Sequence, residues 1–80
     1  MNTDKFTLIL QQVFAETEAR VGPRLTALAS SHIAQTDCDG AKLYGMREHS
    51  RSWELAYEMF CAISERAAVQ CPEFGCGPVN

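Results

Sequence analysis

AKLYGMREHSRSWELAYEMFCAISERAAVQ, residues 41–70, is the stretch that decides how this chain folds. Leu43, Met46, Ser50, Trp53, Tyr57, Phe60, Ser64, Ala67 and Cys71 follow one another at alternating steps of three and four, a heptad-like seam down one side of a helix. Leu55, Met59 and Ala62 add a stripe along one flank, and Ala56 and Ile63 widen it from the other. A helix apolar over so much of its circumference meets neighbours on two sides. The spacing predicts one long helix that begins between Ala41 and Ser50, weakened early by Gly45, and runs to about Gln70.

Working back toward the N-terminus, TDCDG at residues 36–40 reads as a turn, with Asp side chains folding onto the backbone and Gly40 permitting positive φ. Before it, Leu25, Leu28, Ala29, His32 and Ile33 fall at i, i+3, i+4, i+7 and i+8, which predicts a second helix over about residues 24–35. Gly22 and Pro23 separate it from a first helix, since glycine offers a left-handed cap and proline cannot continue. That first helix is capped by Asn2 or Thr3 and carries Phe6, Ile9, Leu10, Val13, Phe14 and Val21 at helical spacing. No run alternates polar and apolar residues for long, so strands are not expected. The expected fold is all-α: a single domain over residues 1–80, a small three-helix bundle with a long C-terminal helix.

Eighty residues with 46% hydrophobic and 21% charged side chains suffice for one modest core. The formal net charge is −3, from seven Lys and Arg against ten Asp and Glu, so bulk attraction to nucleic acid or to an anionic membrane is not expected. MNTDKFTLILQQ lacks the apolar core and cleavage site of a signal peptide, and no stretch approaches the ~20 apolar residues that span a bilayer. A cytoplasmic protein with its four cysteines reduced is the expectation.

Chemistry is sparse. CPEFGCG, residues 71–77, places Cys71 and Cys76 at a spacing a zinc knuckle tolerates. Two more ligands are needed, from His32, Cys38, His49 and Cys61. About twenty-five helical residues cover about 37 Å, so Cys38 and His49 at the far end of the long helix cannot share an ion with the tail. Cys61 lies about 15 Å back along the axis. The favoured reading is that Pro72 ends the helix, Phe74 tucks against the bundle, and Gly75 and Gly77 let the tail turn. No cofactor or metal is expected.

Cys38 stands between Asp37 and Asp39, and two carboxylates oppose the thiolate that a nucleophile assisted by His49 would need. Aligning Gly40 with the sixth position of a calcium loop puts Gln35 first and Met46 last, and neither can ligate as required. His32, on the apolar stripe, reads as a core or interface histidine with one satisfied nitrogen. Lys42, Arg47, His49 and Arg51 form a basic patch that could receive an anion or an acidic partner, although Glu48 and Glu54 make a solvated mixed face the simpler reading. A helix-turn-helix reader is poorly supported, because the loop is long and the reading helix carries Glu54, Glu58 and Glu65. No phosphate loop, paired-histidine zinc motif or serine elbow occurs.

An enzyme is therefore not expected. The leading function is a small acidic regulator that binds another protein and occludes it, as inhibitor, anti-activator or adaptor. Trp53, Leu55, Tyr57, Met59 and Phe60 are the expected partner-binding residues, the aromatic and methionine types enriched at interfaces. A homodimer through the long helix is expected from the same stripe. The alternative is a zinc-stabilised or nucleic-acid-associated module using Cys71 and Cys76.

Overall fold

The structure, a computed structural model, describes residues 2–70, with side chains from residue 5 onward. Four helices follow in order: α1 (Asn2–Val21), α2 (Pro23–Gln35), α3 (Gly40–Met46) and α4 (Arg51–Gln70). The all-α expectation holds, and no strand occurs among the described residues. The number of helices does not: the long third helix is two.

Local chemistry explains the break. The chain leaves α3 through a turn in which the Arg47 amide donates to the Tyr44 carbonyl and the His49 amide to the Met46 carbonyl. Ser50 then starts α4, its carbonyl accepting from the Glu54 amide at 3.0 Å and its hydroxyl from the Trp53 amide at 3.5 Å. Serine at such a boundary competes with helix continuation, and Gly45 just upstream weakens it further. Arg47–Ser50 therefore interrupts the seam between Met46 and Trp53.

At Gly22 the amide donates to the Glu18 carbonyl at 2.8 Å to close α1, with φ at +93°. Its carbonyl then accepts from the Thr26 amide and, at 2.8 Å, from the Thr26 hydroxyl, while Pro23 opens α2. A side chain at residue 22 would be strained, so glycine makes the sharp return possible.

The turn after α2 is built differently from the expectation. Asp37 and Cys38 carry positive φ, 55° and 60°, and Gly40 is the first residue of α3. The Asp37 amide bonds the Ala34 carbonyl and the Cys38 amide the Ile33 carbonyl, both at 3.1 Å, the double closure of a Schellman cap. Asp39 Oδ1 accepts from the Ala41 amide at 3.0 Å and the Lys42 amide at 3.4 Å, capping α3. Glycine at 40 serves contact instead: a Cβ there would meet Phe60 Cε2 at 2.7 Å.

The core joins Ile9 and Val13 of α1, Ala29 of α2, Leu43 of α3, and Leu55, Ala56, Met59 and Ala67 of α4. On α4 the most buried line runs Ser52, Leu55, Ala56, Met59 and Ala67, so the expected flanking stripe is the core and Trp53, Tyr57 and Phe60 of the expected seam are half-buried. On α2 the buried face is Thr26, Ala29 and His32, continued by the capping Thr36, and Leu28 of the expected stripe is 49% exposed. Glu16 with Arg66 and Arg20 with Glu58 tie α1 to α4 and show that the two run antiparallel. No helix among the described residues is long and apolar enough to cross a membrane.

Candidate functional site

Two arrangements stand out: a buried polar contact between α2 and α4, and an apolar groove between α1, α2 and α4. In the first, His32 Nε2 lies 2.9 Å from Ser52 Oγ, and Ser52 Oγ lies 3.0 Å from Ser50 Oγ. Trp53 stacks on the imidazole with ring centroids 3.8 Å apart. A serine beside a histidine resembles a nucleophile and its base, but catalysis also needs an orienting group and an open face. Here Nδ1 of His32 is buried without a hydrogen-bond partner, and Ser52 is itself buried. The contact suits a helix tether, which pins the start of α4 to α2.

The groove, about 420 Å³, is lined by Leu10, Gln11 and Phe14 of α1, Ser30, Ile33 and Ala34 of α2, Met59 and Ile63 of α4, and Cys38 of the turn after α2. Leu10 and Phe14 stand 38% and 37% exposed. They belong to the apolar face expected of the first helix, but α1 turns Ile9, Val13 and Thr17 into the core and leaves these two on the rim. A volume in this range accepts several apolar side chains or a small apolar ligand.

The partner-binding residues expected from sequence divide. Leu55 and Met59, 4% and 3% exposed, pack in the core, and Met59 alone of the five reaches the groove, as part of its floor. Trp53 covers His32. Phe60 lies over Gly40. Tyr57 meets Tyr44 edge-on at 5.5 Å, and the Arg47 guanidinium sits 3.8 Å above the Tyr44 ring. The Tyr57 phenol is held above its ordinary range, first by its hydrogen bond with Cys61 and then by the charge the thiolate would place beside it.

In the basic patch, Lys42, His49 and Arg51 are exposed. Arg47 is already engaged: Nη1 donates to the Tyr44 carbonyl at 2.7 Å, and Nη2 lies 3.7 Å from Glu48. Arg47 and Arg51 share a shallow depression with Glu48 and Glu54, so the corner carries mixed charge. Cys38 is an exposed free thiol and Cys61 a half-buried one. Cys71 and Cys76 lie outside the described residues, and among the described residues no group of three or more His, Cys, Asp and Glu side chains could hold a metal ion.

Sequence reasoning missed the groove because it arises where three helices diverge, and periodicity describes one helix at a time. The unusual density of leucine and phenylalanine on α1, more than one face can bury, was the available signal. The chain matches no family model, and no curated protein or solved structure shows significant similarity to it.

Proposed function

We propose that this protein acts by binding another protein and occluding its surface, with no chemistry of its own. The observation that carries this reading is the apolar groove between α1, α2 and α4, with Leu10 and Phe14 left half-exposed along it. Its occupant is an amphipathic helix of the partner laid along the groove with apolar residues at i, i+3 and i+4, a recognition mode that needs an apolar trough and little else. The net charge of −3 favours a partner with basic residues flanking that helix. The homodimer expected through the long helix belongs to the same proposal, and its check is light scattering at twice 8.9 kDa.

The test compares affinity capture by the wild-type chain, by Leu10→Asp in the groove, and by Val69→Asp at a position 80% exposed and away from it. Circular dichroism confirms that both variants keep their helices. The reading expects a partner that is lost with Leu10→Asp and retained with Val69→Asp. Capture of the same proteins by all three overturns it.

A further inference from the structure

Negative charge stands at both ends of the groove. Gln11, Phe14 and Glu18 fall at i, i+3 and i+7 on α1, so Glu18 lies on the groove side one turn beyond Phe14. At the other end Asp37 directly precedes Cys38, which lines the groove after α2. Both residues are exposed, and among the described residues neither carboxylate has an ion-pair partner. We propose that these two carboxylates select the occupant: the groove takes an amphipathic helix with a basic residue at each end of its apolar stripe, one received by Glu18 and one by Asp37. The proposal rests on the groove being the binding surface, and it names what lets that surface tell one apolar helix from another.

The rest of the rim leaves this charge uncancelled. No residue lining the groove is a cation. Arg66, three residues past Ile63, is the cation that helical spacing brings toward it on α4, and Glu16 already holds it. There Nη2 donates to Oε1 at 2.6 Å and Nη1 to Oε2 at 3.1 Å. At the Asp37 end the C-terminus of α2 adds the negative pole of its dipole.

The distance between the carboxylates sets the spacing of the basic residues. Gly22 folds α2 back along α1, so both helices can be measured from that return. Glu18 lies four residues before it, about 6 Å down α1. Helix α2 runs thirteen residues, about 20 Å, before the turn that holds Asp37. The two carboxylates therefore stand about 14 Å apart along the groove at 1.5 Å per residue. Basic residues at i and i+11 share a helix face about 16.5 Å apart, and their flexible stems absorb the difference. Apolar residues at i+4, i+7 and i+8 fill the interval on the same face.

The test uses the full chain and two synthetic alanine-rich peptides, both with leucine at i+4, i+7 and i+8. One carries lysine at i and i+11. Its isomer carries the same two lysines at i+2 and i+9, on the opposite face, so the bulk pull of a protein of net charge −3 is equal for both. At low ionic strength, fluorescence anisotropy should show the first peptide bound about fivefold more tightly, each exposed ion pair contributing about two- to threefold, and the gap should close in high salt. Glu18→Gln combined with Asp37→Asn should remove the difference, with circular dichroism unchanged. Ala34→Trp, which fills the groove from α2, should abolish binding of both. A preference that survives Glu18→Gln with Asp37→Asn overturns the proposal. So does equal binding of the two isomers; if Ala34→Trp still abolishes it, the groove stands as the binding surface and only the charge selection falls. Failure of both peptides to bind wild type removes the groove reading as well.

Discussion

His32 and Trp53 lie face to face, their rings 7° from parallel and 3.8 Å apart at the centroids, and this stack sits directly beside the His32–Ser52 hydrogen bond. One residue of α2 thereby holds two consecutive residues of α4. The start of α4 is a fresh helix begun at Ser50, so it does not inherit its direction by continuing α3, although α3 packs against its middle through Gly40–Phe60 and Tyr44–Tyr57. At its first turn the stack and the hydrogen bond fix it to α2.

Removing the imidazole should therefore cost more than removing the hydroxyl. His32→Ala opens a cavity and loses the stack, an expected loss of about 2–4 kcal/mol. Ser52→Ala should cost about 1–2 kcal/mol, because it leaves the buried His32 imidazole without its hydrogen-bond partner, while Ser50 Oγ still accepts from the Trp53 amide. His32→Phe keeps a ring against Trp53 and removes the buried Nδ1, so its loss should be smaller than that of His32→Ala. Urea unfolding followed by Trp53 fluorescence measures all three, and a Ser52→Ala loss exceeding that of His32→Ala would refute the tether.

Gly40 and Phe60 should be coupled. A methyl group at residue 40 would lie 2.7 Å from the Phe60 ring, so Gly40→Ala should destabilise by about 1–3 kcal/mol despite alanine's better helix propensity. Shortening the neighbour removes the clash. In a double-mutant cycle with Phe60→Leu, the cost of Gly40→Ala should shrink by at least half, and strict additivity would show that the ring yields freely.

Asp37 occupies the left-handed position of the Schellman cap with φ at 55°. Glycine takes that conformation without a side-chain penalty, so Asp37→Gly should stabilise the fold by up to about 1 kcal/mol. Asp37→Val should destabilise by a comparable or larger amount, because a β-branched residue is least suited there. Thermal melts of the two variants decide the sign.

The Glu16–Arg66 pair sets an acid dependence. The hydrogen bonds from Arg66 hold the Glu16 carboxyl below the usual glutamate range, with the Arg66 charge adding to them. A depressed carboxyl stabilises the fold above its unfolded-state pKa, and the contribution fades as pH falls through the folded value. Wild type should exceed Glu16→Gln in stability at neutral pH, and the two should converge in the acid range below the ordinary glutamate value. Both partners are solvent-facing, so the gap should also narrow in high salt. A difference that persists at low pH would mean that the substitution acts through packing.

How much of this was legible beforehand differs by element. The Gly22–Pro23 break is a local matter, settled by one residue that accepts φ of +93° and one that cannot continue a helix, and the sequence alone determined it. The all-helical character follows likewise from spacing, since steps of three and four admit no strand. Within 41–70 the periodic pattern persisted across Arg47–Ser50 although the helix does not, because a seam of threes and fours carries no record of a backbone that turns and restarts. Asp37 and Cys38 took the left-handed positions where Gly40 looked suited, because the tertiary contact with Phe60 claimed the glycine.

Which apolar residues became core was decided only when the helices met. Leu55 and Met59 look like surface anchors in sequence, and Leu10 and Phe14 look like core; the packing reverses both pairs. Helical periodicity states that certain side chains share a face, but burial depends on the angle at which neighbouring helices cross and on where they part. α1 turns Ile9 and Val13 into the shared core, so Leu10 and Phe14, one position on, line the gap where α1, α2 and α4 part. That gap is the groove, and it exists in no single helix.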